Sequence, residues 1–253
     1  NPHRSRGTAP GPSGSQDQRQ QQPWRREERS AERIVRQPLD QGAWHNPVTT
    51  ATKAGMPTLQ PEPLPPLRCC LLSGGASQRM GQDKALLPHP AGGSWLEHTL
   101  RLRTALDAPI TLLSRWPQHQ TLADALQLPQ LETVTEPPPW EGPLLALHRL
   151  MERYPNARLL LAPVDMPHLN PGALHTLLAG AAMAPERIHL AHDGDRSQPL
   201  LGIYPSPAAI RSNLATAISG GERRLLRWLD GQPCNAVPLP ATAIRNVNSP
   251  AEL

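Results

Sequence analysis

The stretch LLSGGASQRMGQDKALL, residues 71–87, carries the pattern from which the rest of the chain is interpreted. Its apolar start predicts the end of a buried strand, and Gly74 and Gly75 end that strand and let the backbone approach a ligand. The following N–H groups can form an anion-binding concavity, and Arg79 and Lys84 add two cations suited to a triphosphate. The spacing is neither that of a P-loop nor G-x-G-x-x-G. Taken alone, this stretch is interpreted equally well as a structural turn followed by solvated charges.

Apolar runs alternate with helical patterns from residue 67 onward. This alternation predicts an α/β fold: one three-layer, Rossmann-like domain over residues 66–253 with a mostly parallel sheet. Ligands bind such sheets beyond the carboxyl ends of the strands, where residues 71–87 fall. Strands are predicted at 67–72, 109–114, 132–135, 158–164, 187–192 and 199–204, and helices at 94–106, 142–154, 171–183 and 208–218.

A carboxylate follows the fourth predicted strand. In RLLLAPVDMPHL, residues 158–169, Asp165 ends an apolar run and Pro167 keeps a helix from starting at once. Mg²⁺ prefers one or two carboxylates together with phosphate oxygens and water. Asp165 opposite a phosphate loop is therefore a candidate Mg²⁺ ligand, and an aspartate that only caps the next turn is the structural alternative.

Residues 1–55 form a basic segment rich in Gln, Arg, Ser and Pro, which predicts a disordered arm. The arm holds nine of the 25 Lys and Arg residues and five of the 21 Asp and Glu residues, so the remainder carries sixteen of each. The basic pI is therefore no indication that the folded part binds nucleic acid. Met56 is expected to lie closer to a natural start, with the arm as an upstream extension. An arm that binds RNA or an anionic membrane is the alternative.

The composition also argues against secretion and membrane insertion. The arm lacks the apolar core of a signal peptide, and no run approaches the ~18 apolar residues of a membrane span. Cys69 and Cys70 are adjacent and Cys234 is distant, so neither a disulfide framework nor a metal-binding spacing is present. A cytoplasmic location is expected.

Six blocks resemble one family of nucleotidyltransferases. Residues 71–87 resemble the L-x-G-G-x-S-x-R-M-G-x-D-K signature of enzymes that attach a nucleotide to the molybdenum cofactor. Five further blocks follow in family order and favour the guanylyltransferase branch, molybdopterin-guanine dinucleotide synthase. They are EGPLLALHRLM at 141–151, PVDMPHL at 163–169, HDGDRSQPLLGIY at 192–204, GGERRLLRWL at 220–229 and NVNSPAEL at 246–253. The similarity spans about residues 67–253 and does not include the arm.

The resemblance implies Mg²⁺-dependent transfer of GMP from GTP to the terminal phosphate of molybdenum-molybdopterin, with release of pyrophosphate. Lys84 and Arg79 would neutralise the triphosphate, and Asp165 would hold Mg²⁺. The GTP-binding residues would be Leu72, Ser73, Gly74, Gly75, Lys84, Glu136, Gly142, Pro143 and Asp165. The pterin side would carry His192, Asp193, Gln198, Arg223, Arg224, Asn246 and Asn248. Molybdoenzymes, their chaperones and other cofactor biosynthesis proteins are the implied partners.

Two departures from the family pattern leave the choice of base open. Ala146 replaces a glycine near the base pocket, and Leu112 or Leu113 replaces an asparagine expected after the second strand. A nucleotidyltransferase of the same fold that uses CTP on the same cofactor, or that acts on a sugar phosphate, is therefore the second hypothesis. A noncatalytic partner or an RNA-binding protein that acts through the basic arm is the third.

Overall fold

The computed structural model describes residues 63–75 and 83–247. The predicted arm, Arg79 and Asn248 lie outside these residues. The strands are β1 (Leu67–Leu72), β2 (Ile110–Ser114), β3 (Leu131–Thr135), β4 (Arg158–Pro163), β5 (Ile188–His192), β6 (Ser197–Pro205) and β7 (Cys234–Pro238). The helices are α1 (Trp95–Arg103), α2 (Pro117–Ala125), α3 (Pro143–Arg153), α4 (Pro171–Ala182), α5 (Ala208–Ser219) and α6 (Leu225–Leu229), with short 3₁₀ turns at Lys84–Leu86 and Thr104–Leu106.

The strands of the described residues form one sheet in the order β3-β2-β1-β4-β6-β5-β7. Strand β6 is antiparallel to both of its neighbours, and every other pair is parallel. The predicted α/β fold with a mostly parallel sheet is confirmed. Because β1 to β4 run the same way, their carboxyl ends meet at one edge of the sheet.

The two adjacent cysteines show how the sheet separates two cores. Cys69 packs into the cluster that contains Leu96 of α1 and Leu174 of α4, whereas Cys70 packs with Leu147 of α3 on the other face. Successive residues of β1 therefore point to opposite faces of the sheet. Burial raises the pKa of Cys69 to about 11 and raises that of Cys70 further, so both thiols stay protonated and inert at neutral pH.

Helix α2 and strand β7 were not predicted, because neither has a strong apolar period. In α2 only His119 and Ala123 are buried, and β7 buries only Val237. Their places follow from contacts distant in sequence: β7 pairs with β5 in parallel, and α2 packs beside β2 and β3. Across residues 63–75 and 83–247, no helix combines the length and hydropathy needed to span a membrane.

Candidate active site

A cavity of about 640 Å³ lies at the carboxyl edge of β1 to β4. The segments that follow these four strands supply most of its walls. The sequence-predicted residues among its lining are Leu72, Ser73, Gly74, Gly75, Lys84, Glu136, Gly142, Pro143 and Asp165. The structure thus brings together all predicted GTP-binding residues in one place. Asp83, Arg115, His119 and Trp140 also line the cavity, although sequence reasoning assigned them no role.

Lys84 and Asp165 form an ion pair inside this cavity. Lys84 Nζ lies 3.4 Å from Asp165 Oδ2, and the side chains are 17% and 28% exposed. Lys84 begins the 3₁₀ turn that Asp83 caps, with Asp83 Oδ1 accepting a hydrogen bond from Ala85 N at 3.1 Å. The backbone carbonyl of Asp165 accepts a hydrogen bond from Val247 N at 3.0 Å, which ties the C-terminal segment to β4.

The donor set around Asp165 fits a magnesium ion that is bound together with substrate phosphates. Among the described residues, no group of three or more His, Cys, Asp or Glu side chains is placed to hold a metal by itself. Mg²⁺ does not require such a group, since it binds through one or two carboxylates plus phosphate oxygens and waters. Asp165 is partly exposed, so its carboxylate could serve as the protein ligand of such a shared site if Lys84 turned from it to a phosphate.

Glu136 follows β3 and is buried beside the glycine loop. Arg149 Nη1 donates to Glu136 Oε1 at 3.0 Å, and a Cβ added to Gly74 would lie 2.6 Å from Glu136 Oε2. Burial raises the pKa of Glu136 despite the nearby charges of Arg149 and Arg115. A side chain at Gly74 would therefore force the Glu136 carboxyl to move, so this glycine also matters for packing, in addition to any contact with a ligand.

His119 connects the glycine loop to the residue before Lys84. Its Nε2 donates to Asp83 Oδ2 at 2.6 Å, and its Nδ1 lies 3.0 Å from Ser73 Oγ and 2.9 Å from the Ser73 carbonyl. The imidazole is 1% exposed. Through Asp83, His119 positions the turn that carries Lys84. Sequence reasoning missed it because it lies in a largely polar helix with no motif around it.

This arrangement predicts that His119→Asn lowers the catalytic activity of the site more than His119→Gln does. The asparagine amide can replace Nδ1 but cannot reach Asp83, whereas the glutamine amide can replace Nε2. We expect kcat/KM to fall by about 10-fold or more in His119→Asn, because small displacements of a reacting group are costly, and to recover in part in His119→Gln.

His175→Asn, at an exposed position of α4, is the matched control and should retain wild-type activity. Equal losses in the two His119 variants would show that His119 acts only through packing. Steady-state kinetics with thermal unfolding of each variant distinguish these results.

Arg115 follows β2 directly and lies against two indole rings. Its guanidinium carbon is 4.6 Å from the ring centroid of Trp116 and 4.9 Å from that of Trp140. Trp140 is 51% exposed, and its indole Nε1 donates to the Glu136 carbonyl at 3.0 Å. The cavity therefore has a cationic and aromatic end at β2 and β3, apart from the Lys84–Asp165 pair.

Three of the residues predicted for the pterin side line a second depression, of about 630 Å³: Asp193, Gln198 and Asn246. Asp193 accepts hydrogen bonds from the backbone of Asp195 and Arg196, which lower its pKa to about 2, and also from Gln198 Nε2 at 3.1 Å. This carboxylate therefore shapes the β5–β6 turn. Asn246 Oδ1 is buried without a hydrogen-bond partner.

The other predicted pterin-side residues that the structure describes line neither cavity. His192 Nδ1 accepts a hydrogen bond from Gly194 N within the β5–β6 turn. Arg223 Nε pairs with Glu141 Oε2 at 2.5 Å, which links the segment before α6 to the loop preceding Gly142. The Arg224 N–H donates to the Glu222 carboxylate. Both arginines precede α6 and do not lie within it.

The fold and the cavity are compatible with an NTP transferase, and comparison with known proteins places the chain in that class. The sequence profile of the MobA-like NTP transferase domain matches residues 69–234. The chain belongs to this family, and relatives at 36% and 32% identity bear the name molybdenum cofactor guanylyltransferase.

Two relatives and one solved structure illustrate the similarity. The probable molybdenum cofactor guanylyltransferase of Rhodopirellula baltica is 36% identical over 195 residues, which is 75% of this chain and 90% of the relative. The molybdenum cofactor guanylyltransferase of Pseudomonas syringae is 32% identical over 200 residues, covering 76% and 94%. The structure of molybdopterin-guanine dinucleotide biosynthesis protein A from Archaeoglobus fulgidus superposes with a TM-score of 0.55 at 20% identity, covering 73% and 94%. That last likeness concerns the fold alone.

Proposed function

We propose that this protein transfers GMP from GTP to the terminal phosphate of molybdenum-molybdopterin and releases pyrophosphate. The observation that carries the proposal is the single cavity in which the glycine loop, Lys84 and Asp165 meet at the carboxyl edge of the sheet. The names of the sequence relatives supply the acceptor and the base. The reaction is assigned to the cytoplasm, with molybdoenzymes, their chaperones or other cofactor biosynthesis proteins as partners.

The chemistry follows from the charges that must meet. An oxygen of the acceptor phosphate attacks the α-phosphorus of GTP in line, a new P–O bond forms, and the bond from the α-phosphorus to the bridging oxygen breaks. Pyrophosphate leaves with that electron pair. The attacking oxygen is already ionised, so no side chain has to remove a proton. The protein contributes position and electrostatic stabilisation.

The residues predicted to bind GTP and metal then have distinct physical roles. The N–H groups after β1 and the Lys84 ammonium would bind the phosphates, with Arg79 as a second cation. Asp165 would hold Mg²⁺, which supplies charge neutralisation at the phosphates when bound. Glu136, Gly142 and Pro143 would contact the nucleoside at the β3 side. A nucleotide bound in this way would replace the Lys84–Asp165 contact by contacts of each residue with a phosphate or its metal.

The second depression is the proposed place of the pterin. Most of its lining residues are polar or charged, and the buried Asn246 Oδ1 accepts no hydrogen bond. The hydrogen bond from Val247 N to the Asp165 carbonyl holds the residue after Asn246 beside the metal ligand. This link would bring the acceptor's binding segment close to the transfer site. Arg223, Arg224, His192 and Asn248 stay assigned to the pterin side as part of the same proposal.

A nucleotide panel tests the proposal. Purified full-length protein is incubated with Mg²⁺, molybdenum-molybdopterin and GTP, CTP, ATP or UTP in turn, and pyrophosphate release is measured. We expect release with GTP that depends on the acceptor. Preference for CTP would keep the fold and the chemistry but contradict the base assignment, for which Ala146 on the cavity wall would be the first suspect. Lack of release with any nucleotide would overturn the proposal.

Deleting residues 1–55 separates the enzymatic proposal from a function of the arm. The enzymatic proposal predicts that the shortened protein retains its transfer activity. Retained activity together with loss of RNA binding would assign the arm a second role, and loss of transfer would contradict the assignment of activity to residues 66–253.

A further inference from the structure

The guanidinium of Arg115 lines the cavity with its hydrogen-bonding capacity unused. Within residues 63–75 and 83–247 it forms neither a hydrogen bond nor an ion pair, and its Nε is buried without a partner. Its contacts are the two indole faces described above. Contact with two ring faces restricts the position of the guanidinium, and its N–H donors lie in the plane of the group.

Arg115 is separated from the phosphate-binding end of the cavity by the order of the strands. It follows β2, Trp140 follows β3, and Asp165 follows β4, with β1 between β2 and β4. Neighbouring strands are about 4.8 Å apart, so the ends of β2 and β4 are separated by about 10 Å. A nucleotide with its phosphates at Lys84 and Asp165 can therefore place its base at Arg115 and Trp140.

The chemistry of the Arg115 side chain matches one edge of one base. A guanidinium donates two parallel hydrogen bonds to adjacent acceptors, and guanine presents such a pair at O6 and N7. Adenine presents N7 beside an amino donor, which would oppose the guanidinium. The exposed indole of Trp140 offers a stacking surface for any base, because each base has a π-face.

We propose that Arg115 selects guanine by donating to its O6 and N7, while Trp140 contributes affinity by stacking on the base. This inference rests on the proposed function, because it specifies the base end of the same site.

The test compares binding of GTP, 7-deaza-GTP and ATP to full-length protein with Mg²⁺ by calorimetry. 7-Deaza-GTP lacks only the N7 acceptor. We expect wild-type protein to bind GTP more tightly than 7-deaza-GTP, and Arg115→Met to weaken GTP binding by about 10- to 100-fold. The same substitution should weaken 7-deaza-GTP binding much less and remove the preference for GTP over ATP.

Two further variants complete the experiment. Trp140→Ala should weaken the binding of all three nucleotides by similar factors, because stacking on an indole does not distinguish their bases. Arg101→Met, which removes an exposed arginine paired with Glu97 on α1, should change none of the affinities.

Equal weakening of GTP and 7-deaza-GTP in Arg115→Met would overturn the inference and assign Arg115 to the phosphates or to packing. If Arg115→Met does not fold, the wild-type protein still provides a test: equal affinity for GTP and 7-deaza-GTP would by itself overturn the inference. Nucleotide binding does not require the acceptor, so the two proposals can fail separately. If the protein selected GTP in this way but transferred nothing to molybdopterin, the proposed function would be contradicted and the role of Arg115 would stand.

Discussion

Asp165→Asn should lower kcat/KM for nucleotidyl transfer by about 10²–10³-fold, the loss typical when a group that stabilises transferring phosphates is removed. Asparagine has the same shape, so the packing after β4 is unchanged, but it lacks the negative charge that pairs with Lys84 at 3.4 Å and that would hold Mg²⁺. Because the Asp165 side chain is 28% exposed, thermal stability should change little. Steady-state transfer assays at several Mg²⁺ concentrations provide the measurement.

Asp230→Asn is the matched control for this substitution. Asp230 is an exposed aspartate after α6 that lines neither cavity, so removal of its charge should leave transfer unchanged. If Asp165→Asn retained more than a tenth of wild-type activity, the assignment of the metal to Asp165 would be wrong, and the residue would be interpreted as a cap of the turn after β4.

Lys84→Met should cause a loss of similar size, about 10²–10³-fold in kcat/KM. Methionine retains most of the apolar stem but removes the cation that would neutralise the triphosphate in the transition state. The chain contains one other lysine, Lys53, and Lys53→Met is the matched control, since it lies in the segment whose deletion should preserve transfer.

Chemical modification checks the same assignment without substitution. We expect Mg²⁺ and GTP to protect Lys84 from an amine-reactive reagent, with Lys53 as the internal reference in the same mass spectrum. Equal modification of both lysines with and without nucleotide would contradict contact between Lys84 and the phosphates.

The parts of the fold that could be predicted are those whose pattern is local. Strand β1 was predicted with its observed bounds, because LRCCLL is an uninterrupted apolar run before two glycines. Helix α3 was predicted because Leu144, Leu147, Met151 and Tyr154 repeat at helical spacing. The first three are buried, whereas Tyr154 follows the helix and is half-buried. Strand β7 could not be predicted, because its place depends on parallel pairing with β5 and not on its own composition.

The candidate site likewise contains residues that could be predicted from a local motif and residues that could not. Residues inside a motif, such as Gly74, Lys84 and Asp165, could be placed together because the carboxyl ends of parallel strands share one edge. The second reason for Gly74, its approach to the buried carboxyl of Glu136, depends on residues 62 positions apart and was invisible in the sequence. His119 and Arg115 were missed for the same reason, although an arginine and a tryptophan directly after a predicted strand were a usable signal.

The most direct test of the central claim is the fate of the α-phosphorus. Full-length protein, Mg²⁺ and molybdenum-molybdopterin are incubated with GTP labelled at the α-phosphate, and the products are separated and identified by mass. The account predicts that the label appears in a pterin-guanine dinucleotide, with one pyrophosphate released per dinucleotide and no labelled protein. Label that remained in free GMP or GDP, or that became attached to the protein, would contradict direct transfer between the two substrates.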